Sequence, residues 1–288
     1  MKPRFSIVIP TVNRVELLRR ALYSALRQRD RFDDYEIVVL DNYSDDGTWD
    51  YLQSIGNPRI KVFRNPDRLP PASNWNKAAR LSSGEFLYML QDDDVASPNM
   101  LATVSRSISR HEGVDLICFG TCLMDEDEQN HRIFGQPESE TFLPAPEAVM
   151  RFARGWDSSI AQIVFSRAAF DLHGGFDEAH PFTSDAETVL IWMIYSNVVL
   201  VPNTLVMRRI WPDQVMAKIS HTPEWRKAMS NLADTVIGAA TDSRRLDLTQ
   251  LEDLRLALLR NFVHPSEMPR EPGEYLRLAL PERYGRTS

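Results

Sequence analysis

The stretch EFLYMLQDDD (85–94) joins a short apolar run directly to three adjacent carboxylates, Asp92, Asp93 and Asp94. Five apolar or aromatic residues bounded by polar ones suit a strand buried on both faces. Working back along the chain, IKVF (60–63), YEIVVLD (35–41) and FSIVIP (5–10) have the same character. Between the first two strands, residues 14–28 place Val15, Leu18, Leu22 and Leu26 at helical spacing. Ser44, Asp45 and Asp46 precede TWDYLQSI (48–55), so a side-chain cap is expected to open a second helix there. A Pro-rich loop, RNPDRLPPAS (64–73), leads into a short helix over Asn74–Leu81 that ends near Gly84. Strand and helix alternating in this way predict right-handed crossovers and a parallel sheet with helices on both faces.

The second half is more mixed. Residues 98–111 read as a helix with Pro98 in its first turn. VDLICFGTCL (114–123) reads as a strand, and 125–129 as an acidic loop. Residues 144–154 read as a helix, SIAQIVF (159–165) as a strand, and 168–176 as a short helix closed by Gly174 and Gly175. Residues 185–196 form an apolar helix, and NVVLVP and LVMRRI form two further strands. From about 222 the chain reads as helical, with Leu248, Leu251, Leu254 and Leu258 on one stripe suited to core or homodimer packing. The expected layout is a domain over 1–215, divided into a nucleotide-binding half (1–97) and an acceptor-binding half (98–215), then a helical extension over 216–288.

Composition narrows the function. The chain has 288 residues, 43% hydrophobic, with a net charge of −7. It has ample core for a stable fold, no apolar run long enough for a membrane span, and no basic excess for nucleic acid. MKPRFSIVIPT opens straight into a strand without a small-residue cleavage site, so a cytoplasmic location is expected. Cys118 and Cys122 lack a second ligand pair for zinc and read as reduced core residues.

Open parallel sheets bind ligands beyond the carboxyl ends of their strands. Those ends carry Thr11, Asn13 and Arg14; Asp41 to Asp46; Arg64 to Arg68; and Asp92 to Asp94. The turn after the first strand has no glycine, so backbone amides there do not offer the usual diphosphate cradle. Three carboxylates at one strand end repel one another, and oxygen-only ligands select a hard cation, Mg²⁺ or Mn²⁺. The competing reading is a solvated turn whose aspartates cap the next helix.

The order SIVIPTVNR, EIVVLDNYSDDGT, SNWNKAARLSSGEFLYMLQDDDVASP, GGFDE (174–178) and SDAETVLIWM (184–193) resembles glycosyltransferase family 2 over about residues 4–210. The resemblance implies a GT-A (Rossmann-like) fold: a mixed, mostly parallel sheet flanked by helices, here with a helical C-terminal appendage. It implies a metal-dependent, inverting enzyme that moves a sugar from a nucleotide diphosphate, UDP- or dTDP-sugar favoured, to a hydroxyl of a glycan or lipid-linked acceptor. Thr11, Asn13 and Arg14 would frame the nucleotide, Asp41 would hydrogen-bond the base, and Arg68 and Asn76 would lie close by. Asp93 would be the principal ligand of Mn²⁺ or Mg²⁺, with Asp92 on ribose and Asp94 supporting the metal or orienting its loop. Gln91 stands where the family often has its first aspartate, which leaves the ribose contact open.

Asp185 is expected to be the catalytic base, with Glu187 and then Asp177 as fallbacks. Ser184 replaces the common first acid, and Asp185 could equally cap its helix. Trp156, Asp157, Gln162 and Gly175 are candidates for the sugar or acceptor pocket. Trp211 stands where many relatives carry histidine, with His221 a substitute if the tail folds back; His173 and His180 read as loop residues. Peripheral membrane attachment would use Trp225 or the Arg-containing tail. Two other functions compete: a catalytically silent nucleotide-sugar-binding module, and a sugar-1-phosphate nucleotidyltransferase, whose Gly-rich basic stretch PTVNRVE lacks.

Overall fold

The computed structural model describes residues 2–28, 34–125, 127–128, 131–155, 159–180, 182–210 and 222–260. Strands β1 (Phe5–Thr11), β2 (Tyr35–Asp41), β3 (Ile60–Arg64) and β4 (Phe86–Met89) lie parallel in the order β3-β2-β1-β4. Beyond β4 the sheet continues with β9 (Ile163–Ser166), β6 (Leu116–Met124), β10 (Val198–Arg209) and the two-residue β5 (Val95–Ala96). β9 runs antiparallel to both its neighbours, while β6 and β10 are parallel to each other. Two short strands sit off this path: β7 (His131–Phe134) on β6 and β8 (Thr141–Leu143) on β10.

Both faces of the sheet are covered, because its central strands are apolar on both sides. One face buries Phe5, Ile7 and Ile9 of β1 under α1 (Val15–Leu26), α2 (Thr48–Gln53) and α4 (Met100–Arg110). The other buries Val8, Leu87 and Leu200 under α3 (Pro71–Leu81), α5 (Glu147–Phe152), α6 (Arg167–His173) and α7 (Ser184–Tyr195). The C-terminal helices α8 (Pro223–Ser243) and α9 (Leu248–Leu258) lie on this second face and share its core. α8 packs on α7, and α9 packs on α5 and α8.

Several expectations change. NVVLVP and LVMRRI form one strand, β10, with register shifts on either side of Thr204. Pro202 beside the break has no N–H for the ladder. Residues 160–162 form a 3₁₀ turn before β9 begins. Pro98 lies outside α4, which starts at Met100 after an Asn99 cap. The side-chain cap expected ahead of α2 is found at Asp46, whose Oδ1 accepts from the Thr48 backbone N–H at 3.0 Å across Gly47 at φ 89°.

Trp225 is 9% exposed within the core, so it is not a free membrane anchor. Leu254 and Leu258 of the leucine stripe are fully buried and Leu251 packs beside them, but Leu248 is exposed. His173 closes α6 and stacks on Trp192 instead of lying in a loop. Cys118 is buried and Cys122 half-buried, both as free thiols. No helix among the described residues is long and apolar enough to cross a membrane.

Candidate active site

Strand register builds the site. Thr11 pairs with Asp41 across β1 and β2, and Asp41 pairs with Arg64 across β2 and β3. The Leu90 N–H donates to the Val8 carbonyl, extending the β1–β4 pairing past the end of β4. Asp92 therefore arrives beside Thr11, whose hydroxyl donates to Asp92 Oδ2 at 2.8 Å. Arg14, at the start of α1, reaches Asp92 Oδ1 at 2.9 Å and Asp93 Oδ2 at 3.1 Å. Thr11, Arg14, Asp92 and Asp93 thus converge on one corner.

This corner crowds three carboxylates together. Burial and the neighbouring Asp93 push the Asp92 carboxyl up to about 6, even though Arg14 and the Thr11 hydroxyl favour its ionised form. Asp94 is fully enclosed, and burial together with Asp93 drives its affinity for a proton well above the usual carboxylate range. One guanidinium facing two carboxylates, with a third behind them, is a donor set of hard oxygens that fits a divalent cation. Asp93 is the most exposed of the three. Asp94 instead accepts the Arg209 backbone N–H at 3.0 Å, which tethers the acidic turn to the end of β10.

Asp41 is fully buried. Its oxygens accept from the Ser44 backbone and hydroxyl and pair with Arg64 Nε at 3.1 Å. In this geometry no exposed oxygen remains for the direct base contact that the resemblance implies. Arg64 packs its guanidinium against the rings of Tyr43 and Trp49. Asn13 and Tyr43 both adopt left-handed backbone, at φ 51° and 63°. Asn13 is held there by bonds from its N–H to the Ser44 hydroxyl at 2.9 Å and from its side chain to Asp45 at 2.7 Å. Such conformations cost about 1 kcal/mol or more per residue and concentrate at functional rims. Arg68 is exposed in the following loop.

Asn76 is placed differently from expectation. Its amide donates to the Phe176 carbonyl and to Glu178 Oε1, both at 2.8 Å, and its carbonyl accepts the Phe176 N–H at 2.7 Å. Both donors are spent on the 174–178 loop and none is left for a nucleotide. Gly175, at φ 91°, makes this approach feasible, because a Cβ there would lie 2.4 Å from Asn76 Oδ1. Glu178 also accepts from the Ser73 hydroxyl at 2.6 Å. α3 and the loop before α7 are therefore stapled together beside a cavity of about 420 Å³ lined by Asn76, Gly175, Asp177 and Trp192.

Asp185 lies in the first turn of α7, half-exposed. Glu187 is only 2% exposed; it meets His180 Nδ1 at 3.2 Å, and burial raises its carboxyl above the usual range. That burial argues against Glu187 as a base for an incoming hydroxyl. Asp177 is spent on the backbone N–H groups of Ala179 and His180 and on the His180 ring. Gln162 is fully buried, with Nε2 on the Phe119 carbonyl at 3.2 Å and Oε1 without a hydrogen-bond partner among the described residues. Trp156, Asp157, Trp211 and His221 lie outside the described residues.

Two arginines escape a reading by motif. Arg64 follows from the strand register, since it ends β3 level with Asp41. Arg209 ends β10, is 3% exposed, and reaches the Asp93 carbonyl at 3.3 Å and the Glu128 carboxylate. Only the pairing of distant strand ends brings it behind the acidic turn.

A mostly parallel sheet in the order β3-β2-β1-β4, interrupted by antiparallel β9 and carrying an acidic corner past β4, is the GT-A form of the Rossmann-like fold. Residues 6–169 match Glycosyl transferase family 2. The chain belongs to that family.

Among curated proteins, it is 35% identical over 128 residues to the GalNAc(5)-diNAcBac-PP-undecaprenol beta-1,3-glucosyltransferase of Campylobacter jejuni, covering 43% of this chain and 40% of that one. It is 33% identical over 178 residues to the validoxylamine A glucosyltransferase of Streptomyces hygroscopicus, covering 59% of this chain and 40% of that one. The chain thus spans about two fifths of the length of these relatives. Among solved structures, S. aureus TarS 1-349 in complex with UDP-GlcNAc superposes with a TM-score of 0.74 at 18% identity, over 98% of this chain and 78% of that one. The mannosyltransferase PcManGT from Pyrobaculum calidifontis, in complex with GDP-Man and Mn²⁺, gives 0.57 at 17% identity, over 89% and 69%.

Proposed function

We propose that the protein is an inverting glycosyltransferase that uses a nucleotide-diphosphate sugar, with UDP- or dTDP-sugars favoured, and a hydroxyl of a glycan or lipid-linked acceptor. The observation that carries this reading is the convergence of Thr11, Arg14, Asp92 and Asp93 at adjoining strand ends, where a role for the aspartates as caps of the next helix does not account for the shared guanidinium. The names of the curated relatives and the ligands in the related solved structures support the same reading.

Asp93, with Asp92 beside it, would hold a divalent cation, which when bound neutralises charge on a departing diphosphate. Arg14 stands at the same corner and contributes a fixed positive charge toward the phosphates. Thr11 fixes the orientation of Asp92, and Arg209 fixes the turn through Asp94. On the acceptor side, Asp185 takes the proton of the attacking hydroxyl as general base. Asn76 positions the 174–178 loop ahead of that helix rather than touching the nucleotide. Residues 1–97 serve as the donor half and 98–215 as the acceptor half, with the helices α8 and α9 packed against them, in a cytoplasmic enzyme working at or near a membrane face.

A thermal-shift panel of UDP-, dTDP-, GDP- and CDP-sugars, with and without Mn²⁺, tests this. A stabilisation by one donor class that needs Mn²⁺ and disappears in Asp93→Ala is expected. Metal-independent shifts that survive Asp93→Ala would overturn the assignment, and pyrophosphate release from a nucleoside triphosphate and a sugar phosphate would favour the nucleotidyltransferase.

A further inference from the structure

We infer that Asp177, His180 and Glu187 form a second divalent-cation site, for a first-row transition ion such as Zn²⁺, separate from the acidic corner at Asp92–Asp94. One donor atom from each of the three residues lies within 4.8 Å of the other two. An imidazole nitrogen with two carboxylate oxygens is a borderline-soft set that suits Zn²⁺, Mn²⁺ or Fe²⁺ rather than an alkaline-earth ion.

A second observation is independent of the clustering. Glu187 is 2% exposed and its Oε1 faces His180, while its Oε2 and the Thr183 hydroxyl are both buried without a hydrogen bond of good geometry, the hydroxyl lying close enough to favour the ionised carboxylate. Leaving a buried carboxylate oxygen unmatched costs about 1–3 kcal/mol or more, and a cation bound by both oxygens removes that cost. The orienting bonds are also in place. The backbone N–H groups of Ala179 and His180 hold the Asp177 carboxylate at 3.1 and 2.9 Å, the kind of support that outer-shell donors give a ligand. Access is open, since the His180 and Asp177 side chains keep 39% and 30% of their exposure.

Three protein ligands leave at least one coordination position for water. The ion would tie the 177–180 turn to the first turn of α7, two residues from Asp185, from the side of the helix that Glu187 faces.

The test uses the full chain, stripped with a chelator and without any donor. Zn²⁺ is titrated by calorimetry, and Co²⁺ by its visible absorption, on an Asp93→Asn background that disables the other corner. One equivalent is expected to bind. His180→Ala and the near-isosteric Glu187→Gln should each weaken it by about tenfold or more while circular dichroism stays native. Failure of the Asp93→Asn protein to take up either ion, or unchanged binding in both folded variants, would overturn the inference. Either result leaves the donor-binding panel untouched, so this site and the proposed activity stand or fall separately.

Discussion

At the scale of single residues, the two carboxylates with opposite environments give the clearest expectations. Asp185 is half-exposed at the start of α7, and the proposed reaction assigns it the acceptor proton. Asp185→Asn should lower kcat by about 10²–10⁴-fold while the donor-induced thermal shift stays within experimental error. A loss of donor binding instead would remove it from the base role. Glu36 shows the contrary environment far from the site. Burial alone would raise its carboxyl, but Lys61 at 2.6 Å, the Ser83 backbone and the Ser6 and Ser83 hydroxyls outweigh that and hold it at about 2. A folded-state value below the unfolded one stabilises above pH 4.5 and is lost as pH falls toward 2. Glu36→Gln should therefore destabilise by about 2 kcal/mol at pH 7, with the difference closing below pH 4 in urea melts followed by fluorescence.

At the scale of elements, the staple between α3 and the 174–178 loop is the feature most open to test. Gly175→Ala places a Cβ 2.4 Å from Asn76 Oδ1 at a backbone φ of 91°. It should cost about 2 kcal/mol or more, read as a lower urea midpoint with unchanged slope. The four parallel strands were legible because each is a short run dominated by apolar residues and closed by polar ones, as Ile7 to Ile9 and Val38 to Leu40 show, although β3 interrupts the pattern with the exposed Lys61. β5, β7 and β8 carried no such signal. β5 is two residues long, all four residues of β7 are exposed, and β8 has three residues borrowed as an edge by β10. The corner at Asp92–Asp94 was legible because the three acids are adjacent in sequence. The cover that Arg64 gives Asp41 and the grip of Arg209 on the acidic turn were not, because they arise from register between strands far apart in the chain. Asn76 was singled out only by the family resemblance, and its partner is a backbone a hundred residues away, which no local spacing encodes.

On the scale of the whole molecule, the C-terminal helices are structurally continuous with the second face of the sheet. Leu232 and Leu258 are fully buried in the same apolar cluster as Phe165 and Trp192. Leu232→Ala should lower global stability by about 2–5 kcal/mol, in one cooperative transition with the sheet; a separate early transition would show instead that α8 and α9 melt on their own. Helix α7 lies along α8, with the Tyr195 hydroxyl donating to the Ala239 carbonyl at 3.4 Å, and it carries Asp185 at its other end. Three turns of helix thus form a stiff rod between the tail and Asp185, the residue proposed to take the acceptor proton. Whatever tugs on the last helices has leverage on the chemistry, so damage to the tail should register first as slowed turnover and only afterwards as unfolding.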